Sequence, residues 1–109
     1  MHPLIENNKH LISELCKKYH VSSLYVFGSA ARVKDFTDKS DIDLLVTFEY
    51  LPTNTNEEVY YKVENYERLQ EKLEEITNRK VDLIQEANIR NKFLKYFINK
   101  EKKLLYGIS

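Results

Sequence analysis

Asp41 and Asp43 stand two apart at the head of DIDLLVTF, residues 41–48. In an extended strand, side chains alternate between faces, so residues two apart project together. Two adjacent carboxylates repel, and beside an apolar run that repulsion costs stability. A divalent cation removes the cost, and hard oxygen donors favour Mg²⁺ or Mn²⁺. Taken alone, a D-x-D pair more often simply ends a strand at its solvent edge. A third acid, Asp82, lies in KVDLIQ, residues 80–85, among the apolar Val81, Leu83 and Ile84. If that segment pairs beside residues 41–48, three carboxylates converge.

A second group of residues suits phosphate. Gly28-Ser29 follows the strand-like VSSLYVF, residues 21–27, and precedes a short helical stretch over 29–34. There, backbone N–H groups point outward and the helix dipole favours an anion. Gly28 lets the backbone approach closely, and Ser29 adds a hydroxyl donor. A lone Gly-Ser after a strand is an ordinary turn. Arg32, three residues past Ser29 on one helical face, can fork onto phosphate oxygens or form an ion pair with Asp35 or Asp38. Ser40 suits capping or orienting the loop before Asp41. Together these parts fit one mechanism, nucleotidyl transfer with two metals about 4 Å apart clamping the attacking and leaving oxygens.

The elements that must position these groups are legible from periodicity. Residues 4–19 carry apolar positions at helical spacing, with Pro3 suited to a first turn. Residues 21–27, 41–48 and 80–85 read as strands, and in 41–48 the positions Ile42, Leu44 and Val46 share one side. Pro52 and the polar run after it break the chain, with Thr55 or Asn56 as a cap for a long amphipathic helix over 57–78. Asn88 is expected to cap a helix carrying Ile89, Phe93, Leu94, Phe97 and Ile98, and residues 103–106 to add a short edge strand. The order α-β-α-β-α-β-α-β predicts an α/β (α+β) fold, a small mixed sheet of three to four strands covered by helices.

Composition narrows the function classes. The 109 residues suit one domain, 1–109, with one modest core. One cysteine, Cys16, excludes an intramolecular disulfide and a cysteine-built zinc site, and its helical position makes it a core residue. His2, His10 and His20 share no ligand spacing. No apolar run reaches the ~20 residues of a membrane span, and MHPLIENNKH lacks the charged start and apolar core of a signal peptide. A soluble, cytoplasmic protein is expected. The chain is neutral overall, yet residues 35–86 hold fourteen acidic against six basic side chains, and residues 87–109 six basic against one acidic. That basic tail reads first as a solvated helix face; neutrality of the whole argues against direct nucleic-acid binding.

Gly28-Ser29, Ala31-Arg32 and Ser40-Asp41-Ile42-Asp43-Leu44 resemble the GS…DxD signature of polymerase-beta-like nucleotidyltransferases, and the chain is most similar to their minimal form, MNT. The resemblance runs from the leading helix to the terminal LLYG. Val33 departs from it, standing where a glycine is common, and the loop from Ser29 to Asp41 is about one residue longer than usual. The resemblance implies that Asp41 and Asp43 hold metals bridging the nucleotide phosphates. It implies that Asp82 binds the catalytic metal and deprotonates or orients the attacking hydroxyl. Gly28, Ser29 and Arg32 would bind phosphate, with Ser40 beside them.

The implied activity is transfer of a nucleoside monophosphate, AMP from ATP, to a hydroxyl with pyrophosphate leaving. The minimal members resemble antitoxins of two-gene modules whose partner is an all-helical HEPN-type toxin, which implies transfer onto a toxin tyrosine within a stable complex. Two readings stand beside this one: a nucleotidyltransferase acting on a small-molecule acceptor, and a non-enzymatic partner-binding module with a vestigial site. Aromatic residues suit an interface. Phe93 and Phe97 share a helical face and are expected in the core. Tyr61 or Tyr96 is expected on an association surface, used for a homodimer when the chain is alone and for the helical partner when present. Tyr60, Tyr61 and Tyr66 suit packing first and base stacking second.

Overall fold

A computed structural model describes residues 2–49 and 56–107, and the side chains of all of these except 56–62. The expected break at Pro52 and cap at Thr55 lie outside those residues, as do the side chains of Tyr60 and Tyr61.

The leading segment forms two helices, α1 (Pro3–Glu6) and α2 (Lys9–Lys18), where the sequence suggested one. Pro3 does occupy the first turn of α1, and the His2 Nδ1 accepts from the Leu4 amide at 3.0 Å. The break falls at Asn7 and Asn8: the Asn8 side-chain amide donates to the Leu4 carbonyl at 2.7 Å. Such side chains compete with the helical ladder for backbone partners. From α2, Ile12 and Cys16 enter the core.

Strands β1 (Val21–Phe27), β2 (Ile42–Phe48), β3 (Val81–Gln85) and β4 (Lys103–Gly107) form one mixed sheet in the order β3-β2-β1-β4. β1 runs antiparallel to both β2 and β4, whereas β2 and β3 are parallel. Parallel neighbours need a long crossover, supplied by the helix α4 (Asn56–Thr77). α4 ends where Asn78 takes φ +53°, a left-handed conformation that Asn tolerates.

Alternation divides the sheet into two faces. Ile42, Leu44, Val46, Val81 and Leu83 pack with Leu24 and Val26 against Leu69 and Leu73 of α4 and Cys16 of α2. The other face carries a small cluster of Phe27, Leu45 and Ile98, flanked by Tyr25, Ile84 and Ile89. Asp43 and Asp82 belong to this second face. Its apolar part begins one alternate residue further along each strand, at Leu45 and Ile84.

Two terminal expectations are corrected. The last helix, α5 (Lys92–Glu101), is capped by Asn91, whose Oδ1 accepts from the Phe93 and Leu94 amides; Asn88 instead ends a 3-10 turn, Glu86–Asn88. Phe93 and Phe97 are not core residues: they are 78% and 59% exposed. The second face is small, and α5 reaches it through Ile98, leaving no covered surface for the other stripe.

Candidate active site

The short helix α3 (Ser29–Arg32) sits between β1 and β2, and the site is built around its two ends. Asp43 lies opposite Phe27 in the antiparallel pair and opposite Asp82 in the parallel pair. Paired neighbours share a face, so both carboxylates rise side by side from it. Gly28 follows Phe27 immediately. Its backbone has φ +69°, and a Cβ added there would meet the Asp43 Oδ2 at 2.5 Å. Glycine is therefore required twice, by conformation and by the carboxylate pressed against it.

The electrostatics follow from this crowding. Partial burial, and then the charges of Asp82 and Asp41, push the Asp43 carboxyl up to about 6; Arg32 opposes the shift and Glu101 adds to it. Asp41 is exposed and precedes the strand. Among the described residues no three acidic, His or Cys side chains stand together at metal-holding separation, so the expected closed cluster of Asp41, Asp43 and Asp82 is not formed. Register fixes the Asp43–Asp82 pair, but nothing in the sheet draws the third acid in, and like charges keep it out. The donor chemistry, all carboxylate oxygen, still fits a hard divalent cation.

The phosphate candidates are placed as follows. Ser29 opens α3 directly after Gly28. Arg32 forms the ion pair with Asp35 that was one of its two readings, Nε to Oδ2 at 2.8 Å. Its Nη1 also donates to the Glu101 Oε2 at 2.6 Å, and these two hydrogen bonds, Asp35 first, raise its pKa further. Ser40 closes the loop before Asp41: its Oγ accepts from the Thr37 amide at 2.9 Å.

Three further residues shape the site. Glu101 bonds both the Gly28 amide and Arg32. Arg79 donates from Nη1 to the Thr37 and Ser40 carbonyls at 2.8 and 3.0 Å and lies 4.7 Å over the Phe36 ring. It holds the loop leading to Asp41. Tyr66 donates its hydroxyl to the Leu83 carbonyl, tying α4 to β3 one residue past Asp82; base stacking is not its role here. Arg79 left no signal in the sequence. Glu101 left one, being the sole acid in the basic stretch 87–109.

Residues 9–109 match the family described as Polymerase beta, Nucleotidyltransferase. The chain belongs to that family. The nucleotidyltransferase is 34% identical over 103 residues to a protein of Methanocaldococcus jannaschii, covering 94% of this chain and 90% of the relative. A second protein of that organism is 40% identical over 89 residues, covering 82% and 79%. Both bear the name "Putative protein adenylyltransferase". Among solved structures, a "putative minimal nucleotidyltransferase" superposes with a TM-score of 0.71 at 26% identity, covering 91% of this chain and 90% of that one. A toxin–antitoxin solved with AMP-PNP superposes at 0.68 and 22% identity, covering 93% and 74%, which shows the shared fold. Within this fold, no helix of the described residues is long and apolar enough to cross a membrane.

Proposed function

We propose that this nucleotidyltransferase moves AMP from ATP onto a hydroxyl of a partner protein, with Asp41, Asp43 and Asp82 as its acidic centre. The observation that carries the reading is the Asp43–Asp82 pair in register, with Gly28 packed against Asp43 too closely for any side chain. The names of the Methanocaldococcus relatives support adenylyl transfer to protein. So does the likeness to a tri-AMPylated Shewanella oneidensis HEPN toxin in complex with its MNT antitoxin, TM-score 0.62 at 21% identity.

In this mechanism the acceptor oxygen bonds to the α-phosphorus as the bond from that phosphorus to the bridging oxygen of pyrophosphate breaks. The hydroxyl proton passes to a carboxylate, Asp82, and pyrophosphate leaves. Asp41, Asp43 and Asp82 would hold Mg²⁺ or Mn²⁺, which supplies positive charge to the phosphate oxygens. The Gly28 amide, Ser29 and Arg32 bind the departing phosphates, and Ser40 keeps the loop closed behind Asp41.

The partner we propose is a small all-helical HEPN-type protein that docks on α5. Phe93, Tyr96 and Phe97 lie on its exposed surface, Tyr96 being 60% exposed. Lys92, Lys95 and Lys100 stand among them, a rim that suits an acidic helical face. Incubation with labelled ATP, Mg²⁺ and a HEPN-type protein encoded beside this chain, followed by intact-mass analysis, tests the reaction. Gain of AMP mass on the partner is expected. An unmodified partner, with AMP transferred to a small molecule instead, would overturn the acceptor assignment. Tyr96→Asp should abolish co-purification, whereas self-association that survives with no partner binding would assign α5 to a second copy.

A further inference from the structure

The structure assigns Glu101 as an internal occupant of the phosphate cradle, a carboxylate that must swing aside before a nucleotide phosphate can bind. This inference rests on the nucleotidyl-transfer reading and adds a control to it. The Glu101 Oε1 accepts from the Gly28 amide at 2.9 Å, and its Oε2 accepts from the Arg32 Nη1 at 2.6 Å. One anionic group thus engages two of the donors proposed for phosphate, the backbone N–H before α3 and the guanidinium at its end. A carboxylate bridging an amide and an arginine makes the same charge-assisted hydrogen bonds as a pair of phosphate oxygens. Both groups cannot use these donors at once.

Three features make the contact releasable. Glu101 is the last residue of α5, so its side chain can rotate away with no helical turn beyond it. The side chain is 30% exposed and reaches solvent. Its departure leaves the backbone anchored, because Lys103 two residues later donates from Nζ to the Ala31 carbonyl at 2.9 Å. Arg32 meanwhile keeps its second partner, Asp35, on Nε, leaving the Nη1 edge free to turn to phosphate. Glu101 also adds to the negative charge felt by Asp43, so it sits where anionic crowding already opposes it. Cation binding would reduce that crowding and phosphate would replace the carboxylate at its donors.

Calorimetric titration of AMP-PNP with Mg²⁺ into the wild type and the Glu101→Ala variant tests the assignment, and needs no turnover. Removing the internal competitor should tighten binding about tenfold. Glu101→Gln, which keeps the shape and the hydrogen bond from the amide but not the charge, should tighten it by less and serves if Glu101→Ala fails to fold. Wild-type binding that is unchanged or weakened in both variants overturns the latch and leaves the nucleotidyl-transfer reading intact. Absence of binding by every folded variant, wild type included, overturns both.

Discussion

Immediately before α3, at Gly28, and immediately after it, at Val33, the backbone takes positive φ, +69° and +66°. At the first position a side chain is barred by the Asp43 carboxylate as well as by conformation. At the second, the Lys34 amide donates to the Arg32 carbonyl at 2.7 Å, a three-residue turn centred on a β-branched valine whose side chain is exposed. A γ-turn of that hand is strained, and holding a bulky residue in such a region costs of order 1–3 kcal/mol. The same backbone demand therefore has two prices. Beside the carboxylates, only glycine fits; on the loop, the surrounding bonds of Ser40 and Arg79 hold a residue that would not choose the conformation. The departure at Val33 from the glycine common in related sequences thus strains the loop and leaves the carboxylate pair untouched.

The difference between the two ends can be broken at the carboxylate first. Asp43→Asn should lower AMP transfer about a thousandfold or more, since the charge it would contribute at the metal is worth several kcal/mol. Melting of the metal-free variant should nonetheless be unchanged or higher, because a like charge has been removed. A clear loss of stability would make Asp43 structural. Gly28→Ala should come next, destabilising the fold by about 2–4 kcal/mol through overpacking and positive φ together. Denaturant melts that show less than about 1 kcal/mol would mean that the contact with Asp43 yields freely.

On the loop side, Arg79→Ala removes two bonds to carbonyls and a ring contact. A loss of about 1–2 kcal/mol and faster hydrogen exchange at residues 37–41 are expected. Val33→Gly should move stability the other way, up by about 1 kcal/mol, as conformational relief exceeds the added entropy of the unfolded glycine. If it destabilises, valine is held there by contacts, and the contrast with Gly28 fails.

The smallest effect is on pH dependence. Asp43 has a folded pKa of about 6 against an ordinary 3.8, so the folded chain binds its proton more tightly than the unfolded one does. Its contribution favours folding below about pH 4 and is lost as pH rises towards and through 6. Relative to Asp43→Asn, the metal-free wild type should therefore lose melting temperature over that interval and level off above it. A flat difference across pH 4–7 would show that the carboxylates do not feel each other, and Mg²⁺ should diminish any slope.

Much of the site was legible because its signals are local. The spacing of Asp41 and Asp43, Gly-Ser after a strand, and an acid inside VDLI each depend on neighbours in sequence, and strand alternation converts them into a shared face. The helical stripe over 57–78 predicted α4 to within one residue at each end for the same reason. Where local pattern misled, a partner decided. Phe93 and Phe97 share a helical face, and periodicity alone sends such a face inward; whether an interior exists there depends on the area of sheet left uncovered. Asn7 and Asn8 split a stripe that periodicity joined, because a side-chain bond outweighed the next turn of helix.

By itself, then, the sequence determined the strands, the acids they carry and the glycine between them, since alternation and positive φ are properties of a few consecutive residues. Only the tertiary structure decided that β3 lies parallel to β2 in the register Asp43↔Asp82, that Asp41 stays outside a closed cluster, and that Glu101 reaches Gly28 and Arg32. These are contacts between residues roughly 40 to 70 positions apart. Their formation is set by which faces the helices cover and by the reach and charge of side chains across the gap, and no period in the chain encodes either.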